Sequence, residues 1–316
     1  MTQSAILRLG TRGSPLALAQ AHEVKRRLAE AHGDLAAENA IEIVIIKTTG
    51  DKILDRALSE IGGKGLFTKE IEEALLDGSI DAAVHSMKDV PTWLPDGLEI
   101  STILPREDPR DAFFSLKADR LSGLPEGAVV GSASLRRQAQ ILLARPDLTV
   151  VTFRGNVQTR LRKLAEGEVD ATLLAVAGLR RLGEAGRITS ILETDEMLPA
   201  VAQGAVGLEI RSDDSTTRGY LSAIDDAASA VRVAAERACL EVLDGSCRTP
   251  IAALAELDET PGLLKLRALV AMPDGSRVWR GAREGSAGYA AELGKDLGQE
   301  LRAEMGPEAL QSLTSH

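Results

Sequence analysis

A unit of strand, turn and helix recurs along this chain, and it constrains the fold more than any other feature of the sequence. The first copy opens with an apolar strand at Ala5–Leu9. Ser14 and Pro15 then start a helix, because serine caps a first turn and proline fits its first position. The apolar face of that helix is formed by Ala17, Ala21, Val24 and Leu28. The β-branched strand Ile41–Ile46 follows, so we predict a mostly parallel sheet covered by helices.

The unit recurs after Pro105–Pro109, a polar segment whose prolines are typical of a hinge. An apolar strand at Val129–Val130 leads to Ser134 and a helix. The strand Thr149–Phe153 leads in the same way to Asn156 and another helix. A second α/β domain is therefore expected.

The last third of the chain has a different pattern. A helix is predicted from near Asp225 to Asp244–Gly245, where glycine is typical of a helix end. Apolar residues then alternate with others from Leu264 to Val270, and Pro273–Gly275 predicts the turn of a hairpin. A C-terminal helix through Leu293 follows. This order predicts a small α+β domain.

Overall charge and local charge point in opposite directions. The 316 residues carry a formal net charge of -10 and only 3% aromatic residues, which argues against nucleic acid as a partner. Between Gly131 and Lys163, however, seven Lys or Arg residues accompany one acidic residue, so we expect this segment to face an anion. The start has no basic region followed by an apolar stretch, and no apolar run reaches membrane-spanning length. We expect a cytoplasmic protein without membrane contact.

Basic residues stand at predicted helix starts, where a cation opposes the helix dipole by a few tenths to roughly 1 kcal/mol. Arg136 and Arg137 lie in one first turn, and Arg154, Asn156 and Arg160 surround the next. Arginine forks and free backbone amides would converge on a ligand anion, and carboxylates suit them well. The alternative, a set of solvated surface arginines, is about as common for any single residue. The repeated placement favours the ligand.

Asp89 is the candidate for chemistry. It follows the predicted strand Asp81–His85 and stands beside Lys88, where α/β sheets present functional side chains. The carboxylate would stabilise a cation or take a proton, whereas the simpler alternative is a turn aspartate that bonds its own backbone. Gly62–Gly65 does not satisfy a phosphate-loop pattern and is better interpreted as a lid, from which Lys64 would either reach an anion or remain solvated.

The two cysteines differ in their surroundings. Cys239 falls on the apolar face of its helix and is expected in the core. Cys247 lies in a loop beside Arg248, and a nearby cation favours the thiolate, so Cys247 is the better nucleophile or attachment point unless it is an inert loop thiol. The cysteines form no C-x-x-C pair and have no histidine neighbours, so no metal site is expected.

Taken together, these residues resemble the porphobilinogen deaminase family, from Leu7 to about Leu254. The resemblance is carried by ordered segments, namely Thr11–Arg12 with Ser14–Ala17, Gly63–Phe67, Val84–Pro91, Arg106–Ala112, Gly131–Arg137, Arg154–Val157, Ala175–Leu179, Pro199–Ala205 and Gly245–Pro250. It implies two α/β domains like those of type II periplasmic binding proteins and a small α+β C-terminal domain carrying the cofactor cysteine. The chain would cross back near Gln203, giving domains at 1–104 with 204–224, 105–203 and 225–316.

The resemblance also implies a reaction. Four porphobilinogen molecules would be deaminated and joined head to tail into hydroxymethylbilane. The primer would be one dipyrromethane cofactor, held through a thioether on Cys247. Asp89 would stabilise the cation left by ammonia and would also take the proton lost after coupling. A monomer and handover of the product to uroporphyrinogen III synthase are implied as well.

Each pyrrole carries an acetate and a propionate, so the growing chain is a polyanion. The residues expected to bind its carboxylates are Arg12, Ser14, Lys64, Lys88, Ser134, Arg136, Arg137, Arg154, Asn156, Arg160, Arg181 and Gln203. One departure from the family is Glu60, where some members have lysine, so that cation would be dispensable or replaced by Lys52 or Lys64.

Two other classes of protein remain as alternatives. A solute-binding protein or effector-sensing module would use the same paired α/β lobes to bind anions without reacting. It predicts a secretory signal or a helix-turn-helix segment, neither of which is recognised, and it gives Cys247 no role. An enzyme dependent on pyridoxal phosphate or a nucleotide is disfavoured because no phosphate loop or dinucleotide fingerprint is present.

Overall fold

The computed structural model describes residues 6–52, 67–243, 249–258 and 262–314. Its helices and strands follow the chain in regular order. The strands are β1 (Leu7–Thr11), β2 (Ile41–Ile45), β3 (Ala82–Ser86), β4 (Leu98–Ile103), β5 (Asp111–Ser115), β6 (Val129–Gly131), β7 (Thr149–Val151), β8 (Ala171–Ala175), β9 (Ser190–Leu192), β10 (Val206–Arg211), β11 (Ile251–Leu257), β12 (Leu263–Ala271) and β13 (Val278–Ser286). The helices are α1 (Pro15–Ala31), α2 (Thr49–Lys52), α3 (Lys69–Leu76), α4 (Leu135–Ala144), α5 (Val157–Ala165), α6 (Val176–Arg181), α7 (Ser215–Ser222), α8 (Ala227–Val242) and α9 (Ala290–Thr314).

Two compact units are present. The first takes the described residues before 53, residues 67–107 and Ala205–Ala230, and the second takes residues 108–204 and the chain from Val231 onward. The sequence predicted that the chain returns to the first unit near Gln203, and the chain passes from the second unit to the first after Gly204. The three-domain boundaries given above stay a prediction.

The first unit is built on a sheet with the order β2-β1-β3-β10-β4. β1 pairs in parallel with β2 and β3, and β10 is antiparallel to both β3 and β4. The Ser14 hydroxyl accepts from the Ala17 amide at 3.3 Å, with Pro15 directly after it, so the predicted start of α1 is confirmed. One face of the sheet packs on Ala21, Val24 and Leu28 of α1. β1 begins and ends two residues later than predicted because Thr11 still pairs with Ile45.

The second unit contains a sheet of the same kind, with the order β7-β6-β8-β5-β9. β6 is parallel to β7 and β8, whereas β5 is antiparallel to β8 and β9. The predicted helix starts are confirmed, because Ser134 Oγ accepts from the Arg137 amide and Asn156 Oδ1 accepts from the Thr159 amide. Each of the two large sheets thus contains one strand, β10 or β5, that runs antiparallel to both of its neighbours.

The second unit also contains the predicted hairpin, extended by one strand into the antiparallel sheet β11-β12-β13. α9 packs against β12 and β13. The apolar cluster on this sheet joins Leu269 of β12 to Ala139 of α4 and to Leu198, which follows β9. The predicted α/β fold class, with two helix-covered sheets and a small α+β C-terminal part, is confirmed.

None of the described helices is both long enough and apolar enough to span a membrane.

Candidate active site

A cavity opens at the carboxyl ends of β1 and β3. Its polar wall is formed by Arg12, Ser14, Gln20, His85, Ser86 and Asp89. The carboxyl ends of parallel strands meet at one sheet edge, which explains why residues from two parts of the sequence converge here. The predicted chemical residue Asp89 and the predicted anion-binding residues Arg12 and Ser14 therefore share one cavity.

Asp89 is exposed at the end of a short 3-10 turn, Met87–Asp89. The turn is anchored by Met87, whose side chain is buried and whose amide donates to the Ala205 carbonyl at 3.0 Å. A side chain at Gly207 would collide with the Met87 sulfur, so glycine is required on the neighbouring strand. A buried anchor thus holds an exposed carboxylate at a fixed place. Lys88, also exposed, precedes it.

The rest of the cavity wall is held by polar and aromatic contacts. The Arg12 guanidinium lies 4.2 Å above the Phe67 ring, a favourable cation–π arrangement. Gln20 Nε2 donates to Ser86 Oγ at 2.8 Å, which joins α1 to the end of β3. The Ser14 hydroxyl oxygen accepts the hydrogen bond from the Ala17 amide that caps α1.

A buried ionic cluster occupies the second unit, centred on Asp111. Arg136 Nη1 lies 2.7 Å from Asp111 Oδ2, and Arg137 Nη2 lies 2.7 Å from Asp111 Oδ1. Burial would raise the pKa of Asp111, but the two guanidinium charges outweigh burial and hold this pKa well below its usual range. Burial lowers the pKa of Arg136, although Asp111 opposes that effect. Arg136 and Arg137, whose positions in the first turn of a helix suggested a bound anion, are therefore paired with an anion of the protein itself, Asp111.

The Asp111 cluster includes two more partners. The predicted ligand residue Gln203 is buried, and its Nε2 donates to Pro109 O at 2.6 Å and to Asp111 Oδ1 at 3.0 Å. Arg136 also donates to the Leu198 carbonyl at 2.8 Å. The Arg136 Nε is buried without a hydrogen-bond partner in the described part of the chain.

Arg160 is the described cation best suited to an external anion. Burial and the nearby charges of Arg137 and Arg154 lower the pKa of Arg160 to about 10. Its Nε donates to the Gly155 carbonyl at 2.8 Å, and within the described residues no carboxylate pairs with it. Arg137 and Arg154 lie close enough to Arg160 to disfavour its charge, so a bound carboxylate would stabilise this group of cations.

The remaining predicted residues are placed as follows. Ser134 and Asn156 cap their helices, as described above. Arg181 uses both terminal nitrogens on the Gly204 carbonyl, at 3.2 Å each. Cys247, Lys64 and Glu60 lie outside the described residues, as does the side chain of Lys52.

Cys239 is in the core, as predicted. It is fully buried in α8, and burial together with the charge of Glu236 raises the pKa of its thiol to about 12. The thiolate is the reactive form of cysteine, so at neutral pH this thiol is almost entirely inert.

Sequence reasoning missed His85, Gln20 and Ser86 in the cavity wall and Glu209 behind it. Glu209 is 0% exposed and lies 2.9 Å from His85, a residue 124 positions away in the sequence. One signal was available: Glu209 is the lone charged residue in the apolar run Val206–Ile210. A lone acid in a strand that is otherwise apolar indicates a buried polar partner.

The fold and these sites define a class of protein, an α/β protein with basic sites suited to carboxylate-bearing ligands and with an exposed carboxylate in one cavity. Dipyrromethane, with two pyrroles and a carboxylate pair on each, fits this chain on two observations. Among the described residues, Arg160 pairs with no acid and Arg136 Nε is a buried donor without a partner. Arg160 and Arg136 Nε thus supply the positive charge and the hydrogen-bond donor that a carboxylate ligand needs.

Comparison with known proteins gives the family. The description "Porphobilinogen deaminase, dipyromethane cofactor binding domain" matches residues 7–219, and "Porphobilinogen deaminase, C-terminal domain" matches residues 230–303. The match thus extends beyond the limit near Leu254 that the motifs indicated. The chain is 60% identical to the chloroplastic porphobilinogen deaminase of Oryza sativa subsp. japonica over 98% of this chain and 87% of the relative. It is also 60% identical to the porphobilinogen deaminase of Paracoccus denitrificans, over 94% of this chain and 93% of the relative.

Among solved structures, a periplasmic substrate-binding protein of an ABC transporter from Coxiella burnetii is similar at 17% identity, with a TM-score of 0.42 over 69% of this chain and 91% of that chain.

The chain belongs to the porphobilinogen deaminase family. It is a transferase of tetrapyrrole biosynthesis that deaminates four porphobilinogen molecules and joins them into hydroxymethylbilane, with dipyrromethane as its cofactor. The predicted reaction and cofactor are confirmed.

Proposed function

We propose that porphobilinogen reacts in the cavity that Asp89 lines, and that Asp89 is the catalytic carboxylate. Loss of ammonia from the substrate leaves a methylene-pyrrole cation, which a nearby carboxylate stabilises more strongly than water does. The observation that carries this proposal is that Asp89 and the cation Arg12 line the same cavity at the strand ends. Arg12 would hold a substrate carboxylate while Asp89 faces the reacting carbon.

The second part of the proposal concerns carboxylate binding. Lys88 and Ser14 would assist Arg12 in the first unit. In the second unit, Arg154 and Arg160, together with Arg136, Arg137 and Arg181, would bind carboxylates. The charges around Arg160 support this, because they disfavour its cationic form until an anion arrives. Asp111, which accepts a hydrogen bond from Gln203, would position Arg136 and Arg137. Ser134 and Asn156 would present the amides of the helix starts that they cap.

Dipyrromethane supplies the free pyrrole carbon to which the first porphobilinogen is joined. We infer its attachment to Cys247 through a thioether, because Cys239 is buried with a thiol pKa of about 12 and the chain has two cysteines. Lys64 would reach its carboxylates, or those of the substrate, from the predicted lid.

The protein would work as a cytoplasmic monomer and pass its product to uroporphyrinogen III synthase. The family resemblance supports these three proposals, and the small cysteine content is consistent with a reducing compartment.

Arg160→Gln tests carboxylate binding. A charge-assisted hydrogen bond contributes roughly 1.5 to 3 kcal/mol, so we expect the KM for porphobilinogen to rise by about tenfold to a hundredfold. Part-built pyrrole chains should also be lost from the protein earlier. Steady-state kinetics and intact-mass spectra taken during turnover measure both effects.

Arg162→Gln is the matched control, because Arg162 lies on the same helix but pairs with Glu166 in solvent at 2.7 Å. An exposed pair of this kind contributes about 0.3 to 0.5 kcal/mol, so its loss should change KM by less than about threefold. Equal effects of the two substitutions would contradict the assignment of Arg160.

A further inference from the structure

A buried acid and a histidine form a pair directly behind the Asp89 cavity. Glu209 Oε2 lies 2.9 Å from His85 Nε2, and the two residues are 0% and 6% exposed. The register explains the contact, since Glu209 is opposite Ala83, which shares a sheet face with His85. The other carboxylate oxygen, Glu209 Oε1, is buried without a hydrogen-bond partner among the described residues.

The histidine of this pair also belongs to the cavity. His85 lines the cavity together with Asp89, Arg12 and Gln20. Its side chain is thus held by Glu209 from behind while part of the residue forms the wall where we place the reaction. A carboxylate that orients a histidine next to a reacting group is a recurrent arrangement in enzymes that move protons.

A second buried acid lies behind the histidine. Glu72 of α3 is buried, and burial together with the charge of Glu209 raises its pKa. α3 packs against both β3 and β10, so Glu72 and Glu209 approach His85 from two elements. From the cavity, His85 is faced by the negative Asp89 and the positive Arg12.

The hydrogen bond to Glu209 determines which ring nitrogen exchanges a proton. An ionised carboxylate only accepts, so Nε2 must carry hydrogen. In the neutral ring, Nδ1 is then the basic nitrogen, and a proton added there gives an imidazolium that Glu209 stabilises.

We propose that His85, oriented by Glu209, is the base that takes the pyrrole α-proton in each coupling step, while Asp89 remains ionised. The inference rests on the proposed function, in which porphobilinogen reacts in this cavity. The C–N bond of the substrate's protonated aminomethyl group breaks, and ammonia leaves with the electron pair. A C–C bond then forms, the α-C–H bond breaks, its electrons return to the ring, and Nδ1 of His85 takes the proton. The proton passes to the released ammonia, which departs as ammonium.

A single carboxylate serves both roles poorly. If Asp89 took the proton, it would lose the negative charge that stabilises the next cation, and it would have to be deprotonated again in every cycle. A separate base keeps that charge in place. The buried pair supplies such a base at the cavity wall.

His85→Gln tests the proposal, because glutamine keeps a donor for Glu209 but cannot take a proton. We expect kcat to fall by about a hundredfold or more, with KM changed by less than about threefold. Porphobilinogen carrying deuterium on its free α-carbon should react more slowly than the ordinary substrate in this variant, because C–H cleavage becomes rate-limiting. A merely structural role would not create that isotope effect.

Two further measurements separate the outcomes. In holoenzyme with isotope-labelled histidine, NMR should show the His85 ring with hydrogen on Nε2. Glu209→Gln should weaken this preference and move the acid limb of the pH–rate profile to lower pH. His32→Gln is the control, since His32 bonds the Tyr220 carbonyl at 2.9 Å away from the cavity, and it should alter neither kcat nor the isotope effect.

Near-normal kcat in His85→Gln, or a large loss without an isotope effect, would overturn the proposal. If that variant does not fold, a His85 ring with hydrogen on Nδ1 in the unaltered holoenzyme would overturn it instead. Failure of the proposed function is distinguishable, because it would appear as normal turnover in Asp89→Asn whatever His85→Gln does.

Discussion

Asp89→Asn should lower kcat by about a hundredfold to ten-thousandfold while leaving the fold intact. Asparagine has the shape of aspartate without its charge, so the substrate-derived cation would lose its principal stabilisation. The side chain is exposed, and the turn that carries it is anchored through Met87, so stability should change by less than about 0.5 kcal/mol. Single-turnover kinetics on the loaded protein measure the chemical step, and thermal unfolding measures the fold.

Asp96→Asn is a suitable control, because Asp96 is an exposed acid of the same unit that does not line the cavity. Its kcat should equal that of the unaltered protein. Near-normal turnover in Asp89→Asn would show that the catalytic carboxylate lies elsewhere.

Asp111→Asn should give the largest loss of stability, about 3 to 5 kcal/mol in the free energy of unfolding. Asp111 is fully buried and pairs with Arg136 and Arg137 at 2.7 Å each. Removing its charge leaves two buried cations without their anion, and that desolvation is costly. Urea unfolding of the holoprotein measures the change.

Asp147→Asn is the control for this prediction, because Asp147 pairs with Arg145 at the surface, where losing an ion pair should cost far less stability than losing the buried one. The pH dependence has a definite sign. Because the folded-state pKa of Asp111 is depressed, its contribution is fully present above its ordinary pKa of about 3.9 and is lost as pH falls toward the folded value. The stability of the unaltered protein and that of Asp111→Asn, each plotted against pH, should therefore converge in acid. Equal losses in the two variants would contradict the buried ion pair.

Much of the fold follows from local sequence signals. The capping residues Ser14, Ser134 and Asn156 start helices where their side-chain chemistry predicts, and the turn at Pro273–Gly275 joins β12 to β13. The helix α7 was not predicted, although Asp214 caps its first turn. Its short apolar face contributes Leu221 to a core formed by distant segments, which local periodicity does not reveal.

The site was less predictable, because its pairings are tertiary. Arg136 and Arg137 suggested a ligand anion, yet Asp111 supplies an anion from 25 residues earlier on β5. A spacing rule cannot identify that partner, since strand order determines which acid lies beneath the helix start. His85 and Glu209 meet because β10 returns to the first sheet, so neither residue alone indicated the pair. The position of Asp89 beyond the carboxyl end of a strand could be predicted, because β3 ends three residues before it, whereas its catalytic role stays a prediction.

The most direct test of the whole account is the intact mass of the purified protein, compared among the unaltered chain, Cys247→Ser and Cys239→Ser. The account predicts an excess equal to two linked pyrroles on the unaltered chain and on Cys239→Ser, and no excess on Cys247→Ser. Addition of porphobilinogen should then increase the mass in steps of one pyrrole unit in the two loaded proteins. The same excess on Cys247→Ser, or no adduct on any of the three after incubation with porphobilinogen, would contradict it.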